Sequence, residues 1–181
     1  VRIIAGEWRG RPLAAPEGQD TRPTADRTRE GLFSMLLSRV GSFEGLHVAD
    51  LFAGTGALGL EALSRGAAHC VFVENDRAAS ETLRQNIGRF SADDRTEVRA
   101  QSVEHAAPPA RPCDILFMDP PYATGLAEMA LRRVADPAWV APSGWLSVET
   151  NGDRPTLPSG FALEAERRFG KAYLFLLRRS G

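Results

Sequence analysis

Two stretches of this chain hold residue types whose spacing could do chemistry. The first is Asp50-Leu51-Phe52-Ala53-Gly54-Thr55-Gly56-Ala57-Leu58-Gly59, with glycines spaced Gly54-x-Gly56-x-x-Gly59. The apolar run His47-Val48-Ala49 feeds into it as the end of a buried strand, and Leu58 to Arg65 reads as a helix that stops at Gly66. The glycines therefore fall on a strand-to-helix turn, where backbone can approach a ligand closely and a helix N-terminus offers unpaired N–H groups. A second apolar run, Cys70-Val71-Phe72-Val73, ends at Glu74. An acid at that tip can accept hydrogen bonds from ribose hydroxyls. NAD, FAD and S-adenosylmethionine all carry an adenosine ribose, so the turn and the acid do not choose among them.

The second stretch is Ile115-Leu116-Phe117-Met118 followed by Asp119-Pro120-Pro121-Tyr122. Consecutive prolines donate no N–H and lock the backbone, so the strand must end there. Their carbonyls can still accept, the Asp119 carboxylate accepts, and the Tyr122 ring can stack on a flat heterocycle. Such groups suit an amino group on an aromatic base. Alone, the tetrapeptide reads as a loop that merely ends a strand. Paired with the glycine turn in one α/β unit, it reads instead as a loop that holds an amino group beside a ligand-binding turn, and that combination is specific.

The elements that must position these residues can be read in order. Arg2-Ile3-Ile4-Ala5-Gly6 and Arg11-Pro12-Leu13-Ala14-Ala15 predict a hairpin around Glu7-Trp8-Arg9-Gly10. A Pro/Gly/polar linker spans Pro16 to Thr24. Leu32, Phe33, Leu36, Leu37 and Val40 recur at helical spacing over Asp26 to Val40, with Thr24 or Asp26 as cap. After the glycine-turn unit come a strand at 69–74, a helix at 77–90, a strand at 95–100 and a short helix near 103–107. A strand at 113–118, a helix at 125–135 and a strand Trp145 to Glu149 after the turn Pro142-Ser143-Gly144 follow. The end differs in kind, with strands Phe161–Phe169 and Ala172–Arg178 joined at Gly170-Lys171. Alternating β and α units predict a parallel sheet, and the last hairpin adds antiparallel strands at one side.

Composition sets the class. The 181 residues are 43% apolar and 25% charged, ordinary for a globular domain. No run approaches a membrane span and the N-terminus has no apolar signal segment, so a cytoplasmic protein is expected. Cys70 and Cys113 lie in buried strands, and the three histidines lack ligand spacing, so no metal site is expected. The net charge of −1 gives no global attraction to nucleic acid.

With these residues in place, the chain resembles the RsmD family, methyltransferases of a guanine N2 in bacterial small-subunit ribosomal RNA. The likeness covers almost the full length. It includes Arg2-Ile3-Ile4-Ala5-Gly6, Trp8-Arg9-Gly10-Arg11, the glycine turn and Asp119-Pro120-Pro121-Tyr122. Arg22-Pro23-Thr24-Ala25-Asp26-Arg27-Thr28-Arg29-Glu30 makes the match specific, because the other motifs occur in many amino-methyltransferases. The chain departs from the family pattern at Ser102, where an acid often stands near the adenine, at Thr28, and in the turn Arg168-Phe169-Gly170-Lys171-Ala172.

The resemblance implies a Rossmann-like class I methyltransferase with a seven-stranded, mostly parallel sheet and an antiparallel C-terminal hairpin. A β-hairpin extension over 1–20 would precede the methyltransferase domain at 21–181. The implied cofactor is S-adenosylmethionine, contacted by Asp50, Phe52, Gly54, Thr55, Gly56, Glu74, Asn75 and Ser102. Asp119, Pro120, Pro121 and Tyr122 would act on the acceptor amine. Arg9, Arg11, Arg22, Arg27 and Arg29 would clamp RNA phosphates; without the resemblance they read equally well as a solvated helix face paired to Asp26 and Glu30. The implied partner is 16S ribosomal RNA or the assembling small subunit, met by a monomer. Rival readings are an adenine-N6 methyltransferase on DNA or RNA, a non-catalytic adenosine- or RNA-binding protein, and, more distantly, an NAD-dependent dehydrogenase.

Overall fold

Strand β1 (His47–Leu51) is the pivot of a seven-stranded sheet whose other strands are β2 (His69–Val73), β3 (Thr96–Arg99), β4 (Cys113–Met118), β5 (Val140–Thr150), β6 (Phe161–Phe169) and β7 (Ala172–Arg179). The order is β3-β2-β1-β4-β5-β7-β6. The first five strands pair in parallel, and β7 pairs antiparallel with both β5 and β6. This computed structural model describes residues 1–16, 23–121 and 125–181. From β1 the chain winds outward through β2 and β3, then returns to β4 on the opposite side. The crevice beyond the C-terminal ends of β1 and β4 is therefore the topological switch point, where open α/β sheets bind ligands.

Alternating side chains divide the core between the two sheet faces. Val48, Phe72, Ile115 and Phe117 face helices α1 (Pro23–Val40), α2 (Ala57–Ser64) and α3 (Arg77–Arg89), together with Ile3, Trp8 and Leu13 of the N-terminal segment. Leu51, Val73, Leu116, Met118 and Val148 face the other way, onto α4 (Leu126–Val134) and Trp139. Strands buried on both faces explain the unbroken apolar runs of the sequence.

Several expectations change. The N-terminal hairpin is a single bridge, Arg2 to Pro12, rather than two strands. The amides of Ile4 and Ala5 donate to the Glu61 carboxylate at 2.9 and 3.1 Å instead of to a partner strand. Helix α1 starts at Pro23, so its cap position precedes both Thr24 and Asp26; proline suits a first helical position because its missing N–H would be unpaired anyway. Leu37 is exposed rather than part of the apolar face. The segment 103–107 makes turns on the Ser102 carbonyl and no helix, since the residue before Pro108 is disfavoured in helical conformation. Pro142-Ser143-Gly144 is an irregular stretch inside β5, with Ser143 at φ 62° and a register shift opposite β4, rather than a turn before it. Residues 17–20 and the proposed domain boundary lie outside the described residues.

Candidate active site

The glycine turn leaves β1 through two residues in left-handed conformation, Phe52 at φ 57° and Gly54 at φ 58°. A side chain at Gly54 would meet nothing within 4 Å, so its backbone faces open space. At Gly59, an added Cβ would lie 2.4 Å from the Phe72 ring; glycine lets α2 sit tight on β2. Three side chains fix the turn. Glu74 accepts the Gly54 N–H at 2.8 Å and the Asp76 N–H at 2.8 Å. The Asp50 carboxyl accepts the Gly59 N–H at 3.0 Å. Asn86 donates to the Thr55 carbonyl at 3.0 Å and pairs with the Ala14 backbone in both directions.

Asp50 lies beneath the turn. It is 2% exposed, its remaining surroundings are protein, and burial pushes its carboxyl well above the usual range. It braces the turn from beneath through the Gly59 N–H. Asn86 was missed because an amide inside a helix carries no motif; its role comes from α3 lying against the turn.

Beside the turn lies a groove lined by Phe52, Glu74, Asn75, Ser102, Pro121 and Met129. Four of the expected cofactor contacts thus meet there. The Ser102 hydroxyl is buried without a hydrogen-bond partner, an orphan that a ligand's polar atom would satisfy. Apolar side chains for a flat ring, an acid for hydroxyls and an unpaired hydroxyl fit an adenosine moiety. Gly54, Thr55 and Gly56, which is the N-cap of α2 at φ 88°, continue from this groove along the turn.

Asp119 follows β4 directly, and the pairing of Leu51 with Met118 sets it next to the start of the glycine turn. Pro120 is buried and Pro121 exposed; Tyr122 lies outside the described residues. The unexpected neighbour is Glu149. Val148 of β5 pairs with Met118, so the following residues, Glu149 and Asp119, come into hydrogen-bond contact. Asp119 is exposed as a residue, yet protein around its carboxyl strips hydration and pushes it up to about 6. Burial, followed by the neighbouring Asp119, pushes Glu149 up to about 8. Two facing carboxyls share a proton near neutral pH, which belongs to the pair. Both line a cavity of about 510 Å³ closed by α1, the start of α2 and the β6–β7 turn with Phe169 and Lys171. Pro121 lines the groove and Asp119, two residues before it, lines this cavity, so the end of β4 borders both.

The arginines do not stay together. Arg9 and Arg27 are exposed. Arg11 is exposed but donates to the Arg89 carbonyl at 3.0 Å and lies 4.7 Å over the Phe90 ring. Arg22 lies outside the described residues. Arg29 is a correction: it is 4% exposed, ion-paired to Glu61 and Asp26 at 3.2 Å each, and bonded to the Arg2 carbonyl. So engaged, Arg29 borders the cavity of Asp119 and Glu149 rather than the open surface. No helix among the described residues is long and apolar enough to cross a membrane.

A family model described as Conserved hypothetical protein 95 matches residues 1–178. The chain belongs to this family. It is 38% identical over 181 residues to ribosomal RNA small subunit methyltransferase D of Escherichia coli K12, covering 99% of this chain and 90% of that protein. The protein of the same name from Haemophilus influenzae is 36% identical over 175 residues, covering 94% and 89%. The solved structure of the Escherichia coli protein yhhF matches with TM-score 0.87 and 38% identity over 99% of this chain and 98% of that one. The sheet order with its antiparallel end is that of class I methyltransferases.

Proposed function

We propose that this protein transfers a methyl group from S-adenosylmethionine to the N2 amine of a guanine in 16S ribosomal RNA, in the cytoplasm where ribosomal subunits assemble. The observation that carries the reading is the junction of two motifs. The glycine turn and Asp119-Pro120-Pro121 leave adjacent parallel strands at the switch point, joined through Leu51 and Met118. The names of the curated relatives supply the class of substrate.

A guanine N2 is a poor nucleophile because its lone pair is delocalised into the ring. When bound, the cofactor supplies a methyl group already activated on a sulfonium sulfur. What remains for the protein is to position and polarise. Asp119 and the Pro120 carbonyl accept the two amino hydrogens, favour a pyramidal nitrogen and aim its lone pair at the methyl group in line with the sulfonium bond that breaks. Tyr122 stacks on the base once it has left its helix or loop. After the new N–C bond forms, the acidified nitrogen loses its proton to the Asp119–Glu149 pair. Glu74 takes the ribose hydroxyls with its remaining lone pairs, and Ser102 takes a polar atom of the adenine.

The test is product analysis. Protein incubated with S-adenosylmethionine and either naked 16S ribosomal RNA or partly assembled small subunits should yield N2-methylguanosine by nucleoside mass spectrometry. N6-methyladenosine as the sole product would transfer the reading to the adenine class. Absence of any methylated nucleoside on both substrates would leave a binding protein.

A further inference from the structure

We propose that Glu149 makes the acceptor cavity selective for a purine that donates from its ring N1, and so selects guanine; this rests on the guanine-N2 reading above. The strand pairing that ends at Met118 and Val148 places Glu149 beside Asp119, with the two carboxyls in hydrogen-bond contact. Both line the same cavity as Lys171, the single lysine among the 22 basic residues. The cavity thus sets two adjacent carboxyl acceptors in a wall that also carries Lys171, Arg29 and Thr28. The Watson–Crick edge of guanine carries an amino donor, then the N1–H donor, then a carbonyl acceptor. With Asp119 on the amine, the next donor along the edge is N1–H, and Glu149 is the neighbouring acceptor.

Electrostatics supports this match. Without a base, the two carboxyls crowd one another and hold a proton between them. Two adjacent N–H donors replace that proton and let both groups ionise. A base whose N1 is an acceptor sets a lone pair against the Glu149 carboxylate, and fits only while Glu149 stays protonated. Leaving a buried acceptor unpaired costs more than a hydrogen bond contributes, so rejection of such a base is strong.

The test uses a synthetic RNA carrying the guanosine mapped by the product analysis, and the same RNA with 2,6-diaminopurine riboside there. The analogue keeps the 2-amino group but accepts at N1. Single-turnover methylation is measured at mildly alkaline pH, where Glu149 ionises while the guanine N1–H is still in place. Wild-type protein should prefer guanosine by about a hundredfold or more. Glu149→Gln, whose amide can donate to N1, should lose rate on guanosine and gain it on diaminopurine, reducing the preference at least about tenfold. Glu149→Ala should lose on guanosine without the gain. Equal wild-type rates on the two RNAs, or an unchanged preference in a Glu149→Gln protein that binds cofactor normally, would overturn the inference alone. A wild-type protein that makes no N2-methylguanosine on the natural RNA would instead remove the reading beneath it.

Discussion

The proton held between Asp119 and Glu149 has a consequence for stability as well as for chemistry. In the unfolded chain these groups ionise near 3.8 and 4.5, whereas in the folded protein they ionise near 6 and 8. Between those limits the folded state binds protons that the unfolded chain has released. Stability from this pair is therefore fully present below the unfolded values and is lost as pH rises through the folded ones. Glu149→Gln removes the larger of the two shifts and the like charge beside Asp119. Its melting temperature relative to wild type should rise steadily from about pH 4.5 to about pH 8. A gap between the two melting curves that stays constant over that window would mean the carboxyls do not interact. Glu149 itself could not be found in the sequence: an acid at a strand end is unremarkable until β5 is known to lie beside β4. Asp119, by contrast, was legible from the two prolines after it.

At the scale of elements, α2 holds the site together. It has eight residues, too few to persist alone, and six of them are buried. Its stability comes from what it collects. Glu61, fully buried, accepts from Ile4, Ala5, Arg29 and Arg65, so it joins the N-terminal segment, α1 and its own helix. Ser64 accepts the Trp8 N–H at 3.0 Å and donates to the Ala5 carbonyl at 2.7 Å. Because α2 begins at the glycine turn, the N-terminal segment braces that turn through α2. Glu61→Ala strands two guanidinium groups and two amides, and should cost about 3–5 kcal/mol in chemical denaturation. A loss below about 1 kcal/mol would show the network to be dispensable. The apolar runs made the strands readable, and their alternation with helices implied a mostly parallel sheet with antiparallel strands at one side; the strand order came only from the fold. The Glu61 network was hidden because Glu61 stands in the helix with no motif around it; the N-terminal amides and Arg29 that surround it come together only in the fold. The same burial removed Arg29 from the surface, which neither its charge nor its neighbours had foretold.

Across the whole molecule, a net charge of −1 means that RNA must be met by local charge and by shape. Among the expected arginines, Arg9 and Arg27 stand exposed, and Arg11 is partly committed to the Arg89 carbonyl and Phe90. Reversal of Arg9 and Arg27 to glutamate should weaken RNA binding while leaving cofactor affinity unchanged. For every phosphate no longer neutralised, the log–log salt slope should flatten by roughly 0.7–0.9 units. A double variant with the wild-type slope would direct the search to another face. Arg178 and Arg179 are poor substitutes, since they donate to the Ser143 and Val140 carbonyls and cover Trp145 and Phe161, finishing the sheet rather than facing a partner.

These features converge on one proposal: that Asp119, set at the switch point by β4, polarises the acceptor amine and does not hold the cofactor. The direct measurement is a single-turnover methylation rate paired with cofactor affinity by calorimetry, for wild type and Asp119→Ala. The expected result is a rate reduced by at least about a hundredfold, the scale of a lost polarising group, with affinity for S-adenosylmethionine within about threefold of wild type. A folded Asp119→Ala protein that transfers methyl groups at the wild-type rate would contradict it.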